Sequence, residues 1–221
     1  MLKKPGFKPT DCLNFIAYKN LNAYRWYARL LAPLLLATGG GPLFTGNKKE
    51  VLWGDFDFDT WMVVRYPSHQ GMLKMVANPY YLLVCNPFRK RAVANFELAF
   101  TQPHDPESGL HRNAQVLALH ANPTNPDTFL AGIRKRAEQA GLRAVYESES
   151  RYDFDFITNP APADTSKLTY PVTIALAADT EPAVRDFARQ ADVVAILSEQ
   201  IAACMVLYDR VSKFYYLKVG Q

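Results

Sequence analysis

A chain of 221 residues with 49% apolar and 21% charged residues can bury a substantial core, either as one large domain or as two of roughly 100 residues, and this composition excludes wholesale disorder. The net charge of +4 is unevenly spread, with 13 Lys/Arg against 6 Asp/Glu in residues 1–100 and 12 against 15 in residues 101–221. A basic half can attract nucleic acid or anionic lipid, but its tight runs, Arg89-Lys90-Arg91 and, further on, Arg134-Lys135-Arg136, fall on predicted helices as solvated faces. No RNA-binding aromatic signature accompanies them, so nucleic acid is not an expected partner.

The longest apolar run, Leu30 to Ala37, is too short for a transmembrane segment and is interrupted by Pro33. The first residues carry charge without an apolar stretch behind them, which predicts a cytoplasmic protein. Cys12, Cys85 and Cys204 are odd in number, far apart and set among apolar neighbours. They read as reduced, buried thiols, and no metal site is expected.

In chain order, residues 12–18 predict a first strand. A helix follows, capped near Asn22, carrying Tyr24, Tyr27, Leu30, Leu31 and Leu34, and stopped at Gly39-Gly40-Gly41-Pro42; Pro33 should kink it or end its regular part. Leu43–Thr45 and Glu50–Trp53 suggest two pieces of a second strand around Gly46-Asn47. Asp55, Asp57 and Asp59 alternate with Phe56 and Phe58, as an exposed polar edge over a buried aromatic one would. Thr60–Tyr66 is the clearest strand, Ser68 caps a helix bearing Met72, Met75 and Val76, a further helical piece spans about 80–91, and 95–101 is a fourth strand.

Strand, helix, strand, strand, helix, strand is the ferredoxin-like order. Residues 103–113 read as a polar, turn-rich linker, after which the order restarts with a strand at 115–120, a helix opened by Asn125-Pro126-Asp127, strands at 143–152 and 171–177, a helix from 181 to 201 broken near Asp192, and a strand at 203–208. Asp153 and Asp155 alternate with Phe154 and Phe156 in an echo of the first half. The expected organisation is therefore a ferredoxin-like module at 1–102, a linker at 103–113 and a second, diverged module at 114–221. An open four-stranded sheet leaves one face bare, so two such modules gain by burying those faces against each other. The expected fold is α+β: tandem ferredoxin-like repeats (βαββαβ) forming an intramolecular dimeric α/β-barrel pseudo-dimer.

Arg65-Tyr66-Pro67-Ser68, followed by Met72, Met75-Val76, Asn78-Pro79-Tyr80 and Arg89 before an apolar final strand, resembles the dimeric α/β-barrel superfamily. More narrowly, residues 11–102 are similar to an uncharacterised family numbered thirteen-thirty among domains of unknown function. Tyr24, Tyr27 and the glycines ending the first helix fit the same pattern, whereas the second half has Leu176-Ala177-Ala178-Asp179 where Arg-Tyr-Pro-Ser would stand. The resemblance implies small homodimers and a pocket between sheet and helices, shared by cofactor-independent monooxygenases, lactone isomerases, EthD-like proteins and haem-binding peroxidase-like enzymes. It implies no particular reaction.

Tyr24, Tyr27, Trp53, Trp61, Tyr66 and Tyr80 are the candidate ligand-binding residues, combining apolar rings with polar tips. Arg65 and Arg89 are candidates to stabilise a developing enolate, and His69 and His120 to move a proton. His104 and His111 fall in or beside the linker as solvated residues. The leading expectation is a small-molecule-binding barrel acting, if it is an enzyme, as a metal-free oxygenase or isomerase on an apolar or aromatic substrate. Two alternatives stand beside it: a non-catalytic protein docking on a partner or on its own copy, and a haem protein ligated through His120.

Overall fold

The computed structural model describes residues 9–103, 109–153, 161–162 and 168–211. Its elements are β1 (Thr10–Tyr18), α1 (Leu21–Ala37), β2 (Gly41–Trp53), β3 (Thr60–Tyr66), α2 (His69–Val76), a π-helical turn (Tyr81–Cys85) running into α3 (Asn86–Ala92), and β4 (Val93–Pro103). After a short 3-10 turn (Gly109–Arg112) come β5 (Gln115–Ala121), α4 (Pro126–Gln139), β6 (Arg143–Asp153), β7 (Ala161–Pro162), β8 (Val172–Ala177), α5 (Glu181–Ala188), α6 (Ala191–Ser198) and β9 (Ala203–Arg210).

The first half orders its strands β4-β1-β3-β2 and the second β9-β5-β8-β6, the same ferredoxin-like sequence of neighbours. Antiparallel pairing of β2 with β9 and of β4 with β6 joins the halves at both seams. The result is a closed, eight-stranded antiparallel barrel, to which the two-residue β7 adds on the outside of β6. The halves thus enclose a common interior, as their bare sheet faces predict, and they also meet edge to edge. Closure pairs edge strands of the two halves, including Phe100–Pro103 of β4, which two stacked open sheets would leave bare.

Strands β1, β3, β5, β8 and β9 are buried on two sides, so both parities of their sequences are largely apolar. In β1, Leu13 and Phe15 point inward while Cys12 and Ile16 lie under the helices; in β3, Trp61 and Val63 point inward while Val64 and Tyr66 point out. The interior is filled by rings, among them Phe15, Phe44, Phe56, Phe58, Trp61, Tyr146, Tyr170 and Tyr208. Phe56 and Phe58 arrive from the loop after Gly54, whose flanking Asp55, Asp57 and Asp59 stay exposed. The alternation is therefore structural, and its acidic members form no metal cluster among the described residues.

Outside the barrel, α1, α2, the π turn and α3 cover the first half's sheet, while α4, α5 and α6 seal the second with a continuous apolar layer. Two asparagines start the long helices: Asn20 Oδ1 accepts from the Ala23 amide and Asn125 Oδ1 from the Thr128 amide. The cap of α1 is thus Asn20 rather than Asn22. Helix α1 ends at Gly39, whose φ of +74° suits glycine.

Three local expectations are corrected. Helix α1 continues through Pro33 to Ala37 rather than ending there, and Pro33 lies on its exposed side. Residues 41–53 form one strand, with register shifts at Pro42/Phe44, Lys48/Glu50 and Val51/Trp53 instead of a break at Gly46-Asn47. In the linker, residues 104–108 lie outside the described residues, but Leu110 is fully buried in the barrel core. The Asp155, Phe154 and Phe156 echo also lies outside the described residues.

Gly54 (φ +73°) turns the chain from β2 toward the inserted phenylalanines, and a Cβ there would sit 2.4 Å from the Ala203 carbonyl oxygen. Gly54→Ala combines backbone strain with a clash against backbone that cannot rotate away. It is expected to destabilise by about 2 kcal/mol or more, read from urea melts, against less than about 0.5 kcal/mol for a neutral surface change.

Candidate functional site

A cavity of about 880 Å³ opens between the outer face of the first half's sheet and the helices above it. Sheet residues Cys12, Asn14, Met62, Val64 and Tyr66 form its floor, and α1, α2 and the π-α3 segment supply its walls. Most of the lining is aliphatic, methionine or aromatic, which gives it the character of a small-molecule site: apolar walls with a few placed polar groups.

Arg89 is the one charged side chain among the described lining residues. Its Nε and Nη2 donate to Asn86 Oδ1 at 3.1 and 3.0 Å, one turn earlier on α3, and its guanidinium sits 5.5 Å from the centre of the Phe96 ring. An acceptor and an aromatic face thereby fix the guanidinium toward the cavity.

The other polar groups are neutral. Burial pushes the Tyr27 hydroxyl well above the usual tyrosine range, with Arg89 opposing the shift only weakly. Burial likewise raises Tyr66, whose hydroxyl donates to Met75 Sδ at 3.6 Å. The Cys12 thiol is held protonated by burial, so it is no nucleophile at neutral pH. Asn14 spends its amide on the Cys12 and Met62 carbonyls, at 2.9 and 3.3 Å. The described lining offers hydrogen-bond donors and one fixed positive charge, without an ionised base.

Of the residues proposed from sequence, Tyr24, Tyr27, Tyr66 and Arg89 come together here. Trp61 is fully buried on the opposite face of β3, inside the barrel. Trp53 packs against the second half's helical core, and Tyr80 is exposed with its hydroxyl donating to the Leu30 carbonyl at 3.2 Å. Arg65 also points away from the cavity: its Nε and Nη2 hold both oxygens of fully buried Asp11, at 2.7 and 2.8 Å. His69 is the first residue of α2, and its side chain lies outside the described residues.

His120 lies in the barrel interior, ringed by Phe15, Phe56, Trp61, Tyr170 and Tyr208. Nδ1 is 2.9 Å from Thr173 Oγ1 and Nε2 is 3.1 Å from Tyr208 Oη, and burial lowers its pKa to about 3. With both nitrogens engaged and aromatic rings on all sides, this imidazole does not fit haem ligation or proton transfer to a ligand in the cavity. Among the described residues the cavity wall contains no histidine.

Sequence reasoning missed Cys12, Asn14, Met62, Tyr81 and Asn86. Once Tyr66 is known to face the cavity, strand parity and the β1–β3 register add the first three, since residues two apart on a strand share a face.

No family model and no curated protein matches the chain. Among solved structures, an anthrone oxidase-like protein is 12% identical, with 98% of each chain covered and a TM-score of 0.59. A mutant chlorite dismutase from Candidatus Nitrospira defluvii is 4% identical, with 96% of this chain and 94% of that one covered at a TM-score of 0.56. A protein from Fusobacterium nucleatum subsp. nucleatum described as a candidate monooxygenase is 11% identical, with 94% of each covered at 0.53. At these identities the likeness shows the fold, which is the dimeric α/β barrel.

Proposed function

We propose that this chain binds a small aromatic or otherwise apolar molecule carrying one anionic or enolisable oxygen, and does so in the first-half cavity. The observation that carries the reading is the placement of Arg89 as the single charged side chain among the described lining residues of a large apolar space. An apolar body is drawn from water by the walls, while an oxygen bearing negative charge meets the guanidinium where water competes poorly.

A ligand that ionises on binding, such as an enol or phenol, would have its anion stabilised by Arg89, and Tyr27 could donate a hydrogen bond to the same oxygen. This is the part of metal-free oxygenase or isomerase chemistry that the described residues can supply. Proton abstraction would need a base from the ligand or from outside the described lining. The narrower kinship to the uncharacterised family numbered thirteen-thirty belongs to the same proposal, supported by Arg89, Met72, Met75 and Tyr66 all lining one cavity.

Anilinonaphthalene sulfonate, an aromatic body with one anionic group, is a suitable probe. Its fluorescence titration should saturate at one site, and Arg89→Met should weaken binding about tenfold or more, since a hydrogen bond to a charged group contributes roughly 1.5–3 kcal/mol. Met72→Trp, which narrows the cavity from its α2 wall while leaving Arg89 in place, should weaken binding in a protein of unchanged circular dichroism. Binding unaffected by both substitutions would sink the proposal.

A further inference from the structure

The helical cover of the first half differs from that of the second in a way that ligand binding does not explain. Its helices, α1, α2, the π turn and α3, hold six basic residues, Arg25, Arg29, Lys74, Arg89, Lys90 and Arg91, and no acidic one. In α4, α5 and α6 four basic residues are balanced by five acidic ones. Exposed apolar bulk follows the same division. Of the six large hydrophobic side chains that stand exposed among the described residues, Trp26, Leu36, Tyr80, Leu82 and Leu83 belong to the first half's helical layer, and Ile201 alone to the second half.

These side chains form one neighbourhood. Tyr80 reaches the Leu30 carbonyl, the amides of Lys19 and Asn20 donate to the Ala92 carbonyl, and α1 thereby lies along the π-α3 segment. Arg29 sits over the Trp26 ring at 4.9 Å, an aromatic-cation pair suited to a headgroup region. Leu36 and Leu82 are exposed and also line the cavity, so the cavity's mouth opens within the patch.

We propose that this helical face docks on an anionic lipid surface, with the mouth of the cavity turned toward the lipid. Exposed leucines and Trp26 enter the interface while the surrounding lysines and arginines meet the anionic headgroups, the arrangement of surface-bound amphipathic helices. No helix of the described residues is long and apolar enough to cross a membrane, so the contact is peripheral. A second copy of the chain fits this face less well. In a two-fold contact the same surface meets itself, and helices with five cations besides the cavity's Arg89 and no carboxylate would face an identical set. Docking stands whether or not the cavity takes the ligand proposed above, because it is read without any ligand.

Flotation with vesicles rich in phosphatidylglycerol, compared with phosphatidylcholine alone, tests it. The full chain should float with the anionic vesicles only, and should be released as salt is raised. Lys90→Gln together with Arg91→Gln should lower the partition coefficient ~30-fold, the equivalent of ~1 kcal/mol for each cation near such a surface. Leu83→Ser, which faces solvent and leaves the cavity lining alone, should lower it further. The proposal fails if the unaltered protein does not float, or floats equally with neutral vesicles. It fails also if light scattering shows a stable dimer that Leu83→Asp splits, which would assign the face to a second copy.

Discussion

Arg65→Met is expected to cost about 3–5 kcal/mol of stability, the largest effect of any single substitution considered. Asp11 is completely buried near one end of the barrel interior, and both its oxygens are held by the Arg65 guanidinium from the facing position on β3. Tyr146, from the second half, donates to Asp11 Oδ2 at 3.2 Å, so the same carboxylate also ties the halves together. Removing the guanidinium leaves a buried negative charge without its main partner, the costly side of any buried ion pair. For a chain of this size the midpoint of thermal unfolding should fall by roughly 10–15 °C, as each kcal/mol corresponds to about 2–4 °C. Adding Asp11→Leu to Arg65→Met should restore much of the loss, because the pair as a whole is offset by its desolvation. A double variant as unstable as the single one would show that the carboxylate's bond to Tyr146, and not its charge, is what the fold needs. Binding of the sulfonate probe in the cavity should change little in whatever fraction remains folded, since neither residue lines it.

This pair also shows where the sequence was legible and where it was not. Element order could be read because Asn125, Pro126 and the glycines from Gly39 punctuate it with specific backbone roles, and the aspartates alternating with Phe56 and Phe58 marked an exposed polar edge over buried rings, although α1 is capped two residues earlier than expected. Which face of a strand looks at the cavity could not be read in the same way. The central barrel strands are largely apolar at both parities, so Trp61 and Val63 on β3 look no different in type from Met62 and Val64, although they point into the barrel and the others toward the helices. The same ambiguity affects matching of the halves. A superposition of the halves from sequence that pairs Leu13 with Val116, both inward, also pairs Met62 with Thr173 and Leu98 with Val206, and so sets an outward residue against an inward one. A slip of one residue along a strand exchanges its faces. Helical residues were easier: Tyr24 and Tyr27 share a face by spacing alone, and that face is the cavity wall.

The two sides of the first sheet therefore have different tasks. Its inner side is committed to a packed aromatic and ionic interior that closes the barrel, and its outer side keeps an open space under the helices. The second half's outer side is packed with Phe129, Ile133, Phe187 and Leu197 over Leu119 and Ile174, whereas the outer side of the first half carries the cavity described above. The half carrying the Arg-Tyr-Pro-Ser element is the half with the cavity, although the arginine of that element serves the fold and Arg89 serves the cavity.

Acid should expose the interior's dependence on a neutral histidine. Burial lowers the pKa of His120 from 6.5 to about 3, so between those values the unfolded chain binds a proton that the native state refuses. The stability linked to this residue is present in full above pH 6.5 and is lost as pH falls, at up to about 1.4 kcal/mol per pH unit. At pH 4.5 this amounts to roughly 2–3 kcal/mol. Glu181, lowered from 4.5 to about 2 by Lys49 and Arg185, loses its contribution only below pH 4.5, so of the two groups His120 alone acts above that pH. His120→Gln cannot take up the proton yet can still bond Thr173 or Tyr208. It should be less stable than the unaltered protein at pH 7.5, and the gap should narrow or reverse by pH 4.5 when stability is followed by urea melts across that range. Parallel curves for the two proteins would mean that His120 accepts its proton inside the barrel, and that the ring-lined interior around it is wetter than its packing shows.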